Sequence, residues 1–293
     1  MNQKKFNKMV HGSRNSLAKD VFKRFMNNKA AVIGAVLLII VLLGLIFADV
    51  IVPYEKVTAY DSSARLQPPS FKHPFGTDNL GRDLFARILH GSRISFGIGV
   101  GATLVSLCIA AAIASVCAMS KKADFVIMRI IDVVSCVPSI LLALMFLAIM
   151  GGSVLNMMIT LTIISVPSFV LHIRSVILSI VEQDYVAAAR VSGSSTVKIV
   201  LKHVLPNAIN PIIVEATMMI SAMMLSAAGL SFIGVGISPP SPEWGAMLNY
   251  AQAHLKTAPY MAIIPGLAIC MTALAINLVG DGLRDALDPK TGK

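Results

Sequence analysis

Residues 30–52 read AAVIGAVLLIIVLLGLIFADVIV, a run of 23 residues in which Asp49 is the single charge. A helix needs about 20 consecutive apolar residues to cross roughly 30 Å of hydrocarbon, and this run supplies them. It is too long for the core of a signal peptide, so this first span is expected to stay uncleaved. The same signature recurs at 96–119, 133–152, 154–173, 208–237 (broken only by Glu215) and 260–280, and the six windows together take up nearly half of the 293 residues. Hydrophobic residues make up 56% of the chain and charged residues 14%, against about 25% charged in soluble proteins. A water-soluble globule is excluded, and an all-α integral membrane protein with six transmembrane helices is expected.

The net charge of +10 could suggest a nucleic-acid partner, but the placement of the 25 Lys and Arg explains it better. With the N-terminus inside, 18 of them fall in inside segments and seven outside, which sets an N-in/C-in topology by the positive-inside rule. No nucleic acid is expected, and the membrane lipid is the surrounding solvent. The chain divides into a basic cytoplasmic segment (1–29), the first span (30–52), an extracytoplasmic loop (53–95), a five-helix core (96–280) with an inside loop at 174–207, and a cytoplasmic tail (281–293). Cys108, Cys117, Cys136 and Cys270 all lie in apolar windows without CxxC spacing and read as small core residues.

Within 53–95, Thr77 and Asp78 are good N-caps for an amphipathic helix over about 79–90, closed by Gly91, with Asp83 and Arg87 spaced as an i,i+4 pair. Gly151, Gly152 and Ser153 leave room only for a tight hairpin between spans three and four. Trp244, the one tryptophan, lies between spans five and six, where an interfacial anchor is the usual reading. Arg129 and Asp132, three residues apart, suit a local ion pair at the inner boundary of span three.

The inside loop is more organised than a linker requires. A helix can begin after Asp184 and run through Tyr185, Ala187, Ala188 and Ala189 to a left-handed cap at Gly193. A second helix, 196–204, is capped by Ser194 and stopped by Pro206. On physical grounds the three alanines are either a low-relief docking surface or an elbow lying on the lipid. The stretch DYVAAARVSGSSTVKIVLKHVLPN (184–207) resembles the EAA loop of ABC importer permeases, whose pattern is Glu-Ala-Ala, three residues, Gly, nine residues, Ile, one residue, Leu-Pro. Ala188, Ala189, Gly193, Leu205 and Pro206 match it, Ala187 replaces the glutamate and His203 the isoleucine. HPFGTDNLGRDLFARILHGSRIS (73–95), LSFIGVGISPPSPEWGAML (230–248) and NLVGDGLRDALDP (277–289) look like the C-type permease subunits of peptide and nickel importers, so the resemblance covers most of the chain.

The resemblance implies a type I ABC importer permease fold in a bacterial inner membrane. It also implies a second homologous permease, two ATP-binding subunits and an extracytoplasmic substrate-binding protein as partners. Tyr185, Ala187, Ala188, Ala189, Gly193, Leu205 and Pro206 become the candidate ATPase-coupling residues. The cargo expected is a di- or oligopeptide, with nickel or a metal chelate as the alternative; an ion-coupled secondary transporter or channel is a remote one, since no internal repeat is visible. No GxxxxGK[ST] loop, HExxH or GxSxG occurs, so neither catalysis nor a cofactor is expected on this chain, and ATP and magnesium are expected on the partners.

Glu215 is the one acid well inside an apolar window. A carboxylate in lipid is costly, so it should face a lumen or a subunit interface, unless it snorkels to the inner headgroups. Met219 and Met223 on the same span either line an adaptable passage or fill gaps. Gly97, Gly99 and Gly101, with Gly229, Gly234 and Gly236, suit close helix packing. The six histidines, at 11, 73, 90, 172, 203 and 254, are scattered over different segments.

Overall fold

The computed structural model describes residues 19–287, and among them every regular element is a helix. The principal ones are α1 (Lys29–Ile46), α2 (Leu84–Met119), α3 (Lys121–Ser135), α4 (Ser139–Met150), α5 (Val154–Val181), α6 (Asp184–Val191), α7 (Leu205–Phe232), α8 (Trp244–Ala251) and α9 (Tyr260–Leu287). α1, α2, α5, α7 and α9 are each long and apolar enough to cross a membrane, whereas α3 and α4, bent by 81° at the break between them, pass the same test only when taken together.

Long-range contacts sort the molecule into two ends. At the end that carries residues 53–95, named the outer end after the expected topology, Arg93 reaches Asp49 at 2.7 Å, the indole N–H of Trp244 donates to the Ile88 carbonyl at 3.0 Å, and Tyr260 donates to the Thr77 carbonyl at 3.2 Å. At the inner end Asn28 donates to Asp285 at 3.1 Å and Arg174 grips Asp124. The main core lies between α2, α5 and α7. It is built from Ile98, Ala102, Ala110 and Ala114 of α2 against Leu161, Phe169 and Ile177 of α5, with Met223 and Leu230 of α7. Small side chains along α2 let the backbones approach, and the Ser106 and Ser165 hydroxyls bond across the seam at 2.9 Å. On the other flank α1 packs on α9, where a β-carbon on Gly34 would come within 2.5 Å of Leu278.

The expected surface helix at 79–90 does not exist as a separate element. Its residues belong to α2, an unbroken helix of 36 residues that starts at Leu84 and is capped by Asp83, whose carboxylate accepts from the Ala86 N–H at 3.0 Å. Gly91 does not close it. A β-carbon there would meet the Pro242 carbonyl at 2.1 Å and the Trp244 ring, so this glycine makes space for the outer loop. The Asp83–Arg87 pair is absent as well: Asp83 pairs with His73 at 2.7 Å, while Arg87, almost fully buried, turns to Asp78 at 3.8 Å. Asp78 also accepts from Arg82 Nε at 2.6 Å and the Arg82 backbone N–H at 2.9 Å, so it organises a loop instead of capping a helix.

Four further boundaries move. α1 ends at Ile46, before a short turn at Ala48–Ile51 that carries Asp49. The Arg93 guanidinium donates to the Leu45 and Ile46 carbonyls there, satisfying groups that a helix end leaves open. Span three begins not at 133 but as α3 at Lys121, and it bends by 81° into α4 around Pro138. The helix expected to stop at Pro206 continues: Thr196–Ile199 passes through a π turn at Val200–Val204 directly into α7. Pro206, with no N–H to donate, follows directly on the π turn, whose wider winding accommodates its ring within the continuous helix. The boundary drawn at 280/281 falls inside α9, which is helical to Leu287. The remaining tail residues, 288–293, and residues 1–18 of the basic N-terminal segment lie outside the described residues.

Trp244 is not an interfacial anchor. It is 2% exposed, at the start of α8, against Ile88 and Gly91 of α2 and in a cluster with residues of α7 and α9. The N-cap of α8 is Glu243, 1% exposed, which accepts from the Gly245 and Ala246 N–H groups at 2.9 and 2.7 Å. Burial pushes its carboxyl above the ordinary range, against the lowering effect of those hydrogen bonds. Arg129 and Asp132 do pair locally, at 3.3 Å, and the 151–153 hairpin joins α4 to α5.

Candidate functional site

Two places at the inner end hold the residues singled out from sequence. The first is the loop built around α6. Asp184 opens this helix and Arg190 closes it, each at the end where its charge suits the helix dipole. Gly193 follows at φ +80, donating to the Arg190 carbonyl at 3.1 Å, while Ser194 N–H reaches the Ala189 carbonyl at 3.2 Å. That pairing of orphan carbonyls in a left-handed turn is the expected glycine stop. Val186 is fully buried and pins α6 to the main core, and Ala189 packs half-buried beside it. The rest of the helix faces away: Tyr185 is 44% exposed, and Ala187 and Ala188 are exposed with no bulk rising above them. Leu205 packs half-buried against the core and Pro206 is exposed. Val191, Val197 and Leu201 are open beside this face, so the loop presents an apolar, shallow surface that nothing among the described residues covers.

The second is a cavity of about 710 Å³ between α5, α7 and α9. Glu215 lines it, and its carboxylate meets His172 Nδ1 at 2.7 Å. The His172 side chain is about half exposed and that of Glu215 is partly so. Asn210 and Arg284 add polar groups to walls that are otherwise apolar, including Ile173, Pro211 and Met218. Of the two methionines named with Glu215, Met223 is buried in the main core and Met219 is packed half-buried against it, so neither lines this cavity. Sequence reasoning missed His172, Asn210 and Arg284. Nothing local marks His172, and only the antiparallel register of α5 and α7 brings residues 43 apart together.

The glycines divide by use. Gly99 of α2 lies against the Ile220 carbonyl of α7, whereas a β-carbon on Gly97 would meet nothing. Cys108, Cys136 and Cys270 are exposed and Cys117 buried, all as free thiols. Among the described residues no group of three or more His, Cys, Asp or Glu is placed to hold a metal ion.

A bundle of apolar spans, a shallow exposed loop helix and a largely apolar cavity with a few polar groups fit a membrane transport subunit. Residues 88–293 match the family described as binding-protein-dependent transport system inner membrane component, and residues 16–69 match the N-terminal TM domain of oligopeptide transport permease C. The chain belongs to this inner membrane component family. It is 41% identical over 272 residues to the glutathione transport system permease protein GsiD of Escherichia coli O6:K15:H31, covering 92% of this chain and 90% of that one. It is 38% identical over 279 residues to the di/tripeptide transport system permease protein DppC of Pseudomonas aeruginosa, with 93% and 92% covered. It is therefore an inner-membrane permease subunit of a binding-protein-dependent system, working within a complex and not itself catalytic.

Proposed function

We propose that the chain forms half of the translocation pathway of an ATP-driven importer of di- or oligopeptides. In this reading the inner end is cytoplasmic, as the concentration of Lys and Arg there requires. A homologous permease completes the pathway, an extracytoplasmic binding protein delivers the cargo, and two separate subunits hydrolyse ATP. The observation that carries the reading is α6: a helix anchored by one buried valine, with a bare alanine face turned outward and no cover from the described residues. Such a surface suits a cleft in another protein, because a flat alanine face allows backbone-close approach. The loss of the pattern's glutamate at Ala187 removes one polar contact and leaves the helix, turn and helix intact. The relatives, a glutathione permease and a di/tripeptide permease, support this cargo class.

The test is reconstitution with the ATP-binding subunits, the second permease and the binding protein in vesicles. ATP-dependent uptake of labelled dipeptides, tripeptides and glutathione is expected. Uptake of nickel in place of peptides would overturn the cargo, and uptake by this chain alone, driven by an ion gradient, would overturn the class.

A further inference from the structure

α3 and α4 diverge by 81°, and their composition diverges as well. α4 carries no ionisable side chain, whereas α3 carries Lys121, Lys122, Asp124, Arg129 and Asp132. α3 also exposes Phe125, Val126, Ile130 and Val133. A helix with charges on one side and bare apolar residues on another belongs along the boundary of the hydrocarbon. Behind it a pocket of about 810 Å³ opens between α3, the inner ends of α2 and α5, and the α6 loop.

Lys121, Arg129, Arg174 and Arg190 line this pocket, together with one acid, Asp124. The acid is already engaged, since Arg174 Nη2 donates to its Oδ2 at 2.6 Å, and Arg129 turns to Asp132 at 3.3 Å. Among the described residues no ion pair involves Lys121 or Arg190. Two uncompensated cations therefore share one concavity, and most of the rest of its wall, including Phe125, Met128, Leu178 and Val181, is apolar, with Thr196 as the one further polar side chain. Phe125 lines the pocket and is 65% exposed, with the Arg129 guanidinium 5.5 Å from the centre of its ring, while Val126, Ile130 and Val133 form the bare side of α3 next to it.

We propose that this pocket binds the phosphate head group of an anionic phospholipid from the inner leaflet, whose acyl chains lie along the exposed apolar side of α3. A phosphate answers the two free cations, and an attached hydrocarbon answers the continuous apolar wall, which a soluble phosphate would leave unused. The site also touches coupling. Arg190 lies in the last turn of α6, and Thr196 opens the helical segment after the glycine turn, so an occupied pocket ties the α6 loop to α3. The inner-leaflet assignment and the coupling role rest on the proposed function; the head-group chemistry does not.

The experiment compares the wild-type full chain with Lys121→Gln, Arg190→Gln and the double variant. Each is purified in detergent supplemented with equal amounts of phosphatidylglycerol and phosphatidylcholine, and the retained lipid is extracted and quantified. Selective retention of phosphatidylglycerol is expected, falling roughly fivefold for each cation removed and about 25-fold for both. Equal retention of the two lipids, or the same retention by all variants, overturns the proposal. Displacement of phosphatidylglycerol by added inorganic phosphate would assign the pocket to a soluble anion instead. Unchanged lipid retention with lost pull-down of the ATP-binding subunits in Lys121→Gln would assign it to an acidic segment of that partner. The lipid readout needs neither uptake nor ATP hydrolysis, so failure of the transport reading leaves it intact. In the assembled complex, Lys121→Gln in phosphatidylglycerol vesicles should hydrolyse ATP at the rate of the wild type in phosphatidylcholine alone.

Discussion

At Glu215 a carboxylate interrupts an apolar helix, and the structure gives it a specific neighbour in His172. Replacing it by leucine leaves the imidazole without an acceptor in a cavity wall, whereas glutamine keeps an oxygen in place. Glu215→Leu should lower peptide uptake by about fivefold, the scale of about 1 kcal/mol set by a partly exposed pair, and Glu215→Gln should cost less. Uptake and co-purification of the second permease, both near normal with leucine, would mean that the carboxylate merely snorkels. Trp244 tests the outer end. It is buried in a cluster with residues of α2, α7 and α9 and donates to the Ile88 carbonyl, so Trp244→Ala should cost about 3–5 kcal/mol and Trp244→Phe about 1 kcal/mol. Thermal unfolding in detergent reads this directly. An alanine variant as heat-stable as the wild type would contradict the packing described.

At the level of elements, α6 and its glycine turn act as one piece. Gly193 has open space around its α-carbon, so a larger residue there meets no clash; what it meets is the positive φ, which a β-branched side chain adopts only at a cost of roughly 1–2 kcal/mol. Ala188 is the converse case, with relaxed backbone and an outward face that a partner would have to clear. Gly193→Val and Ala188→Trp should therefore both insert in the membrane yet lose most of the substrate-stimulated ATP hydrolysis of the assembled complex. Pull-down separates them: the tryptophan should abolish recovery of the ATP-binding subunits, because packed interfaces resist added volume. Full retention of binding and hydrolysis in both variants would leave α6 as an elbow on the lipid. The same region shows how a local rule misleads. Pro206 and Gly91 read as stop signals, yet one begins a helix and the other lies within one, because a wide turn and a neighbouring loop changed what each residue had to accommodate.

For the whole molecule, the absence of a phosphate-binding loop in the sequence predicts that the purified chain has no ATPase activity of its own. Turnover that stays with the chain through purification and is abolished by mutating it would sink the division of labour with partner subunits. The two ends also predict a topology: a cysteine-free variant, with a single cysteine restored at Lys121 or at Lys72, should be labelled by an impermeant thiol reagent from opposite sides of the membrane. Labelling of Lys121→Cys from outside intact cells would invert the assignment of the pocket, the α6 loop and the basic termini together.

The sequence by itself determined that this is a helical membrane protein with its basic residues gathered on one side, because apolar run length and charge placement are one-dimensional properties. It also determined the α6 turn, since Gly193 and the alanines before it act over a few neighbouring residues. Only the tertiary structure decided where helices end when they continue past a local stop signal, and that Trp244 is buried, since burial depends on what folds over a residue. It alone joined His172 to Glu215, and left Lys121 and Arg190 unpaired around a shared pocket, because those relations arise only when helices far apart in sequence are packed side by side.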